Sequence, residues 1–286
     1  MVRSLEVPYN FDKDLIDIMF KLDPSGEQYH CIYCPPYPGD YQAAKHYYTH
    51  RNGRYMADYY NFSKDEYLSH INYIKKIFPT KMMLLLQQNN YCMDLGMLKE
   101  YISYGFSKFC VGNIEQAKQI RSIFPEAEII ASITMKLMPE DLNKAEYDIL
   151  DGVVLFFPYN RDLETIKKLP SKFRYVLLVN CGCNINCGGT KHWFADEHTS
   201  KGRAWFCINN IAEMAHGQVP WDQIIRIRPM DLPIFDPYIS YYKLQGREYD
   251  THQIIEEICL YSFNYSRWPS NEFKDSRLYT KEKHKF

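Results

Sequence analysis

The chain has no long hydrophobic run. No apolar stretch in its 286 residues approaches the roughly 18 needed to cross a bilayer. The opening Met-Val-Arg-Ser-Leu-Glu-Val-Pro has no signal-peptide core, which leads us to expect a cytoplasmic protein with no membrane partner. Net charge is also missing: 34 basic against 35 acidic side chains leave −1, so there is no global electrostatic case for nucleic acid or an anionic membrane. Several catalytic signatures are absent. No G-x-G-x-x-G follows the expected first strand, which argues against a dinucleotide fold. No G-x-S-x-G elbow supports a serine hydrolase. His46-Tyr-Tyr-Thr-His50 lacks the glutamate of an H-E-x-x-H metalloprotease, and no C-x-x-x-C-x-x-C triad of the radical type is found. Linkers rich in Pro, Gly or Ser are absent too, so nothing divides the chain into domains.

What fills the sequence is one repeated rhythm of apolar run, turn and amphipathic helix. Strands are expected near Tyr29–Tyr33, Met82–Gln87, Phe109–Gly112, Ile129–Ser132, Val153–Phe157, Tyr175–Asn180, Ile224–Arg228 and Tyr241–Leu244, after a polar N-terminal segment. Ser63-Lys-Asp-Glu66 reads as a capping box before Tyr67, Ile71, Ile74 and Phe78 at helical spacing. A helix from Asp94 carries Leu95, Leu98 and Ile102, and Asn113 opens another with Ala117, Ile120 and Phe124. Further helices are expected near Glu140–Tyr147, Asp162–Leu169, Asn209–Ala215 and Thr251–Phe263. Crossovers of helical length require parallel pairing, and eight such units predict a single α/β domain, a (β/α)8 TIM-barrel-like fold over residues 1–265. Residues 266–286 read as a polar C-terminal tail, on the surface or docking a partner.

Cysteine is the unusual residue. The chain has 9, and three fall within seven residues at Cys181, Cys183 and Cys187, at the end of the apolar run Tyr175–Asn180. Thiolates released at a strand tip can converge on zinc or an iron–sulfur centre. The bland alternative is small loop residues. Catalytic faces of such barrels lie at the C-terminal ends of the strands, where Cys31 and Cys34, the three clustered cysteines, Cys207, His192 and His198 would collect. Cys92, Cys110 and Cys259 read as small packing residues. His46, His50 and Arg54, with Asn180 and His192, read as substrate contacts around the mouth.

A second group lies near the last strands. Arg226-Ile-Arg228-Pro-Met-Asp231-Leu and Lys243-Leu-Gln-Gly-Arg247-Glu place cations and a carboxylate at one rim, suited to an anionic substrate or to salt bridges that hold loops. The stretch R-P-M-D-L, then K-L-Q-G-R-E and a helix opening Y-D-T-H-Q-I-I-E-E-I, resembles the C-terminal signature of the collagenase-like peptidase U32 family: R-P-x-D-L, K-I-E-G-R and a tyrosine-rich helix. The segment V-N-C-G-C-N-I-N-C-x-x-x-x-H is similar to the cysteine-bearing segment of that family's relatives. The resemblance covers about Tyr175 to Phe263. It departs at Gln245, where the family has glutamate, and in the nineteen residues between Cys187 and Cys207.

The resemblance implies a barrel enzyme with a 4Fe-4S cluster, working in oxygen-independent hydroxylation of an RNA base, a quinone precursor or another small planar substrate. Its ligands would be Cys34, Cys183, Cys187 and Cys207, with Cys31 or Cys181 as alternates. Arg228, Asp231, Lys243 and Arg247 would form the catalytic and substrate-shaping group. One alternative is a zinc-dependent barrel, a hydrolase, peptidase or base-exchanging transglycosylase, held by Cys181, Cys183, Cys187 and a histidine. The other is a non-catalytic, metal-stabilised barrel that serves as a partner subunit, as in a heterodimer.

Overall fold

A computed structural model describes residues 3–40, 61–87, 92–156, 159–181, 226–246 and 249–262. Eight strands form β1 (Leu5–Pro8), β2 (Tyr29–Cys34), β3 (Met82–Leu86), β4 (Lys108–Val111), β5 (Glu128–Ala131), β6 (Gly152–Val154), β7 (Arg174–Leu178) and β8 (Tyr241–Lys243). Each pairs parallel with the next, and β1 closes on β8, so the sheet is a closed barrel in sequence order. Helices α1 (Lys13–Leu22), α2 (Lys64–Ile77), α3 (Leu95–Tyr104), α4 (Ile114–Ile123), α5 (Leu163–Ile166), α6 (Leu232–Phe235) and α7 (Thr251–Tyr261) accompany them. This is the expected TIM-barrel-like architecture.

Local chemistry sets the helix starts. Ser63 and Glu66 satisfy each other's backbone N–H groups at α2, and Asp250 and Gln253 do the same at α7. Asn113 accepts from the Gln116 N–H at α4, as its position in the sequence implied. Strand periodicity then sorts the core. On β3, Met83 and Leu85 enter the lumen while Met82, Leu84 and Leu86 pack beneath the helices, so the run is apolar throughout.

The strand set differs from the expected one at two places. The N-terminal segment, expected to be a polar stretch ahead of the first strand, is itself a strand, β1, followed by a helix, α1. Glu6 breaks the apolar run of Leu5-Glu-Val-Pro, and its charge is matched by Lys243, distant in sequence. Conversely, Arg226–Arg228 is not a strand, and 224–225 lie outside the described residues. β7 pairs directly with β8. The Arg226–Arg228 segment instead lies against the end of β7, where the Ile227 N–H donates to the Val179 carbonyl at 2.9 Å before Pro229 opens a turn. Near Glu140–Tyr147 the chain forms 3-10 turns, Asp141–Asn143 and Ala145–Ile149, rather than an α-helix. The expected helix at 209–215 and the tail from 263 onward lie outside the described residues.

Candidate functional site

The lumen is polar at its lower and middle levels. At the N-terminal ends of the strands, Glu128 is the hub. Its carboxylate takes Lys108 Nζ at 2.5 Å and Arg174 at 2.9 Å, and His30 Nε2 lies 3.2 Å away without the alignment of a hydrogen bond. Burial pushes the Glu128 carboxyl up, but His30 and Lys108 outweigh it and hold it at about 2. Tyr241 stacks on His30 at 3.5 Å between ring centroids, and Arg174 donates to its hydroxyl. This end of a barrel normally serves stability.

The middle level is set by a β-bulge. Leu5 pairs with Tyr29 but Glu6 pairs with Cys31, so His30 is the extra residue. Its displacement lets His30 and Cys31 reach the same side, where their ligand atoms and a Glu6 oxygen lie within 4.8 Å of one another. Glu6 is fully buried; its Oε2 meets Lys243 Nζ at 2.5 Å, while its Oε1 has no hydrogen-bond partner. Lys243 sits 4.0 Å above the Tyr33 ring. Burial pulls the Lys243 ammonium down, but the Glu6 carboxylate overrides it and holds it above the ordinary value. Burial, seconded by Glu6, pushes the Cys31 thiol well up. Met83 Sδ lies 3.7 Å from Cys31 Sγ.

The upper level is tied by backbone contacts. Asn180 accepts from the Gln245 N–H at 2.8 Å and donates to the Gln245 carbonyl at 2.9 Å. The Tyr33 hydroxyl donates to the Leu244 carbonyl. The buried Tyr261 hydroxyl spans the carbonyls of Val179 and Ile227 at 3.1 and 2.8 Å. The exits of β7 and β8 are therefore held together, and Cys181 is buried among the lumen side chains just beyond β7.

The two cysteines of β2 do not converge. Cys31 belongs to the lumen, but Cys34 belongs to the layer between strands and helices, beside Tyr9. Residues three apart on a strand face opposite sides, so Cys34 is turned to the helix layer, whereas Cys181 lies among the lumen side chains. Arg228 forms a two-point ion pair with Asp231 at 2.7 and 2.8 Å, the arrangement of a loop-fixing pair. Arg226 faces away from the lumen, onto Glu257 of α7 at 2.9 Å. Among the described rim cations, Lys243 is the one whose side chain enters the lumen. Cys110 and Cys259 pack in the core, as small residues do. Cys183, Cys187, Cys207, His46, His50, Arg54, His192 and Arg247 lie outside the described residues.

Sequence reasoning missed Glu6, His30 and Glu128. The signal for His30 was its place beside Cys31 in Y-H-C-I-Y-C; a lone carboxylate inside a short apolar run was the signal for Glu6.

No family model matches the chain, and no curated protein matches it. Among solved structures, the U32 peptidase Mk0906 is similar at a TM-score of 0.40 and 11% identity, over 86% of this chain and 93% of that one. Similarity at that level carries no argument about activity. Among the described residues, no helix is long and apolar enough to cross a membrane.

Proposed function

We propose that the chain is a metal- or cluster-dependent enzyme that acts on a small or planar substrate at the C-terminal mouth of the barrel. One observation carries the reading: Cys181 lies buried on the lumen side at the end of β7, so the cysteine-dense segment begins at that mouth. The U32-like motifs favour a 4Fe-4S cluster on Cys183, Cys187 and Cys207. Cys181 is the better fourth ligand, because Cys34 faces the helices. Such a cluster would supply one-electron chemistry for oxygen-independent modification, of which hydroxylation of an RNA base or quinone precursor is the leading form.

Within this reading the chain's own residues bind and orient. Lys243 presents a cation to the lumen that Glu6 keeps protonated. Asn180 holds the two rim strands in register, so groups carried by residues 243–246 keep a fixed height over the lumen. Arg228, Asp231 and Arg247 would border the substrate, with Arg228 and Asp231 already braced against each other.

The test is iron, sulfide and zinc analysis with an absorption spectrum on protein purified without oxygen. Brown protein with about four irons supports the cluster, and Cys181→Ser, Cys187→Ser and Cys207→Ser should each remove the colour while Cys34→Ser and Cys259→Ser do not. Colourless protein with zinc on the same cysteines would instead support zinc-activated water, the hydrolytic reading. Protein with neither metal would refute both.

A further inference from the structure

We infer that Glu6, His30 and Cys31 form a second metal site, in the middle of the lumen, for a borderline divalent cation of the zinc class. It uses none of the mouth cysteines and does not depend on the reading above.

The first ground is the donor set. A carboxylate, an imidazole and a thiol, all buried, bring one ligand atom each within 4.8 Å of the others. Met83 Sδ, 3.7 Å from Cys31 Sγ, lines the same side of the site with a second, neutral sulfur. Sulfur and nitrogen ligands exclude calcium and magnesium, which take oxygen, and suit zinc in a four-coordinate site.

The second ground is an unmatched oxygen. Glu6 is fully buried, and Lys243 takes only Oε2; Oε1 is left with no hydrogen-bond partner. A buried acceptor without a partner costs free energy that a purely structural Glu6–Lys243 pair does not explain. A cation between Oε1, His30 and Cys31 would satisfy it, and Lys243 would stay on Oε2 as a charge-assisted support.

The third ground is the setting of the imidazole. Tyr241 stacks on the ring at 3.5 Å, and Glu128 stands 3.2 Å from Nε2. The stacked ring is held in place, and Nε2 has no hydrogen-bond partner among the described residues, so the imidazole has a ring nitrogen left to take a metal. The bulge at His30 is what brings two adjacent residues to one site, and bulges of this kind commonly re-aim a side chain where function needs it. On binding, the Cys31 thiol releases its proton to solvent as the sulfur–metal bond forms, so uptake liberates one proton per ion.

The test separates this site from the mouth. In Cys183→Ser/Cys187→Ser/Cys207→Ser protein, stripped of metal and equilibrated with Zn2+ or Co2+, we expect about one ion per chain. The cobalt form should show a thiolate-to-metal charge-transfer band, and zinc should raise Tm. Adding Cys31→Ser to that background should abolish the band and the Tm shift. His30→Gln is the second variant if Cys31→Ser does not fold, and it should weaken cobalt binding at least ~10-fold. Failure of the triple variant to bind an ion, or retention of the band in both added variants, would overturn the site. A wild-type chain without iron, beside a triple variant that binds zinc, would refute only the mouth cluster; the reverse would refute only the lumen site.

Discussion

Replacing Glu128 by glutamine should cost stability that depends on pH in a defined way. The carboxylate is largely buried and is shared by Lys108 at 2.5 Å and Arg174 at 2.9 Å, with His30 nearby. Its descent from an ordinary 4.5 to about 2 corresponds to about 3 kcal/mol, at roughly 1.4 kcal/mol per pH unit. His30 is poorly aligned on the carboxylate, so its share is reduced and about 2 kcal/mol is the lower figure. The sign follows from linkage. A carboxyl whose pKa is lower in the folded state stabilises the fold above its unfolded pKa, and that contribution is lost as pH falls through the folded value. Glu128→Gln should therefore lower the unfolding free energy by about 2–3 kcal/mol at neutral pH, with the difference from wild type shrinking between about pH 5 and pH 2. Urea titrations followed by circular dichroism at several pH values measure this directly. Parallel pH profiles for the two proteins, or equal stability at neutral pH, would refute the assignment of Glu128 as the hub of the barrel floor.

Lys243→Met should leave Glu6 buried without its cation and cost about 3–5 kcal/mol, and Glu6→Gln added to it should recover much of the loss; equal loss in the double variant would show that the pair is not coupled. Tyr261→Phe removes the hydroxyl that spans Val179 and Ile227, and should cost about 1–3 kcal/mol in chemical denaturation with little change in secondary structure. Gly152→Ala would set a methyl 2.7 Å from the Arg174 carbonyl, forcing β6 and β7 apart, so Tm should fall; an unchanged Tm would show that the strands yield without cost. The Asp236 carboxyl, held below its ordinary value by Arg3 and Tyr242 despite burial, should stabilise the fold above its unfolded pKa and lose that contribution as pH falls; Arg3→Met should flatten this acid limb.

The sequence by itself determined the architecture, because a closed parallel barrel leaves its mark along the chain. Strands buried on both faces read as short apolar runs, and crossovers read as capped amphipathic helices such as the one opened by Ser63 and Glu66. It also marked the cysteine-dense segment after β7, and the structure places its first member, Cys181, inside the lumen. Read along the chain, Cys31 and Cys34 group together at the mouth, whereas a spacing of three on a strand separates faces and the fold turns them to opposite sides of the sheet. Tertiary structure alone decided which segment closes the barrel. β1 looked polar because of Glu6, and Glu6 is tolerable only where Lys243 of β8 comes to lie beside it. The same holds for the floor of the lumen, where Lys108, Glu128, Arg174 and His30 come from four different strands. Periodicity along a chain fixes the face a side chain takes. It says nothing of which distant charge will stand opposite when the sheet curls shut, and in a low-dielectric lumen that partner decides whether a buried charge is stabilising or ruinous.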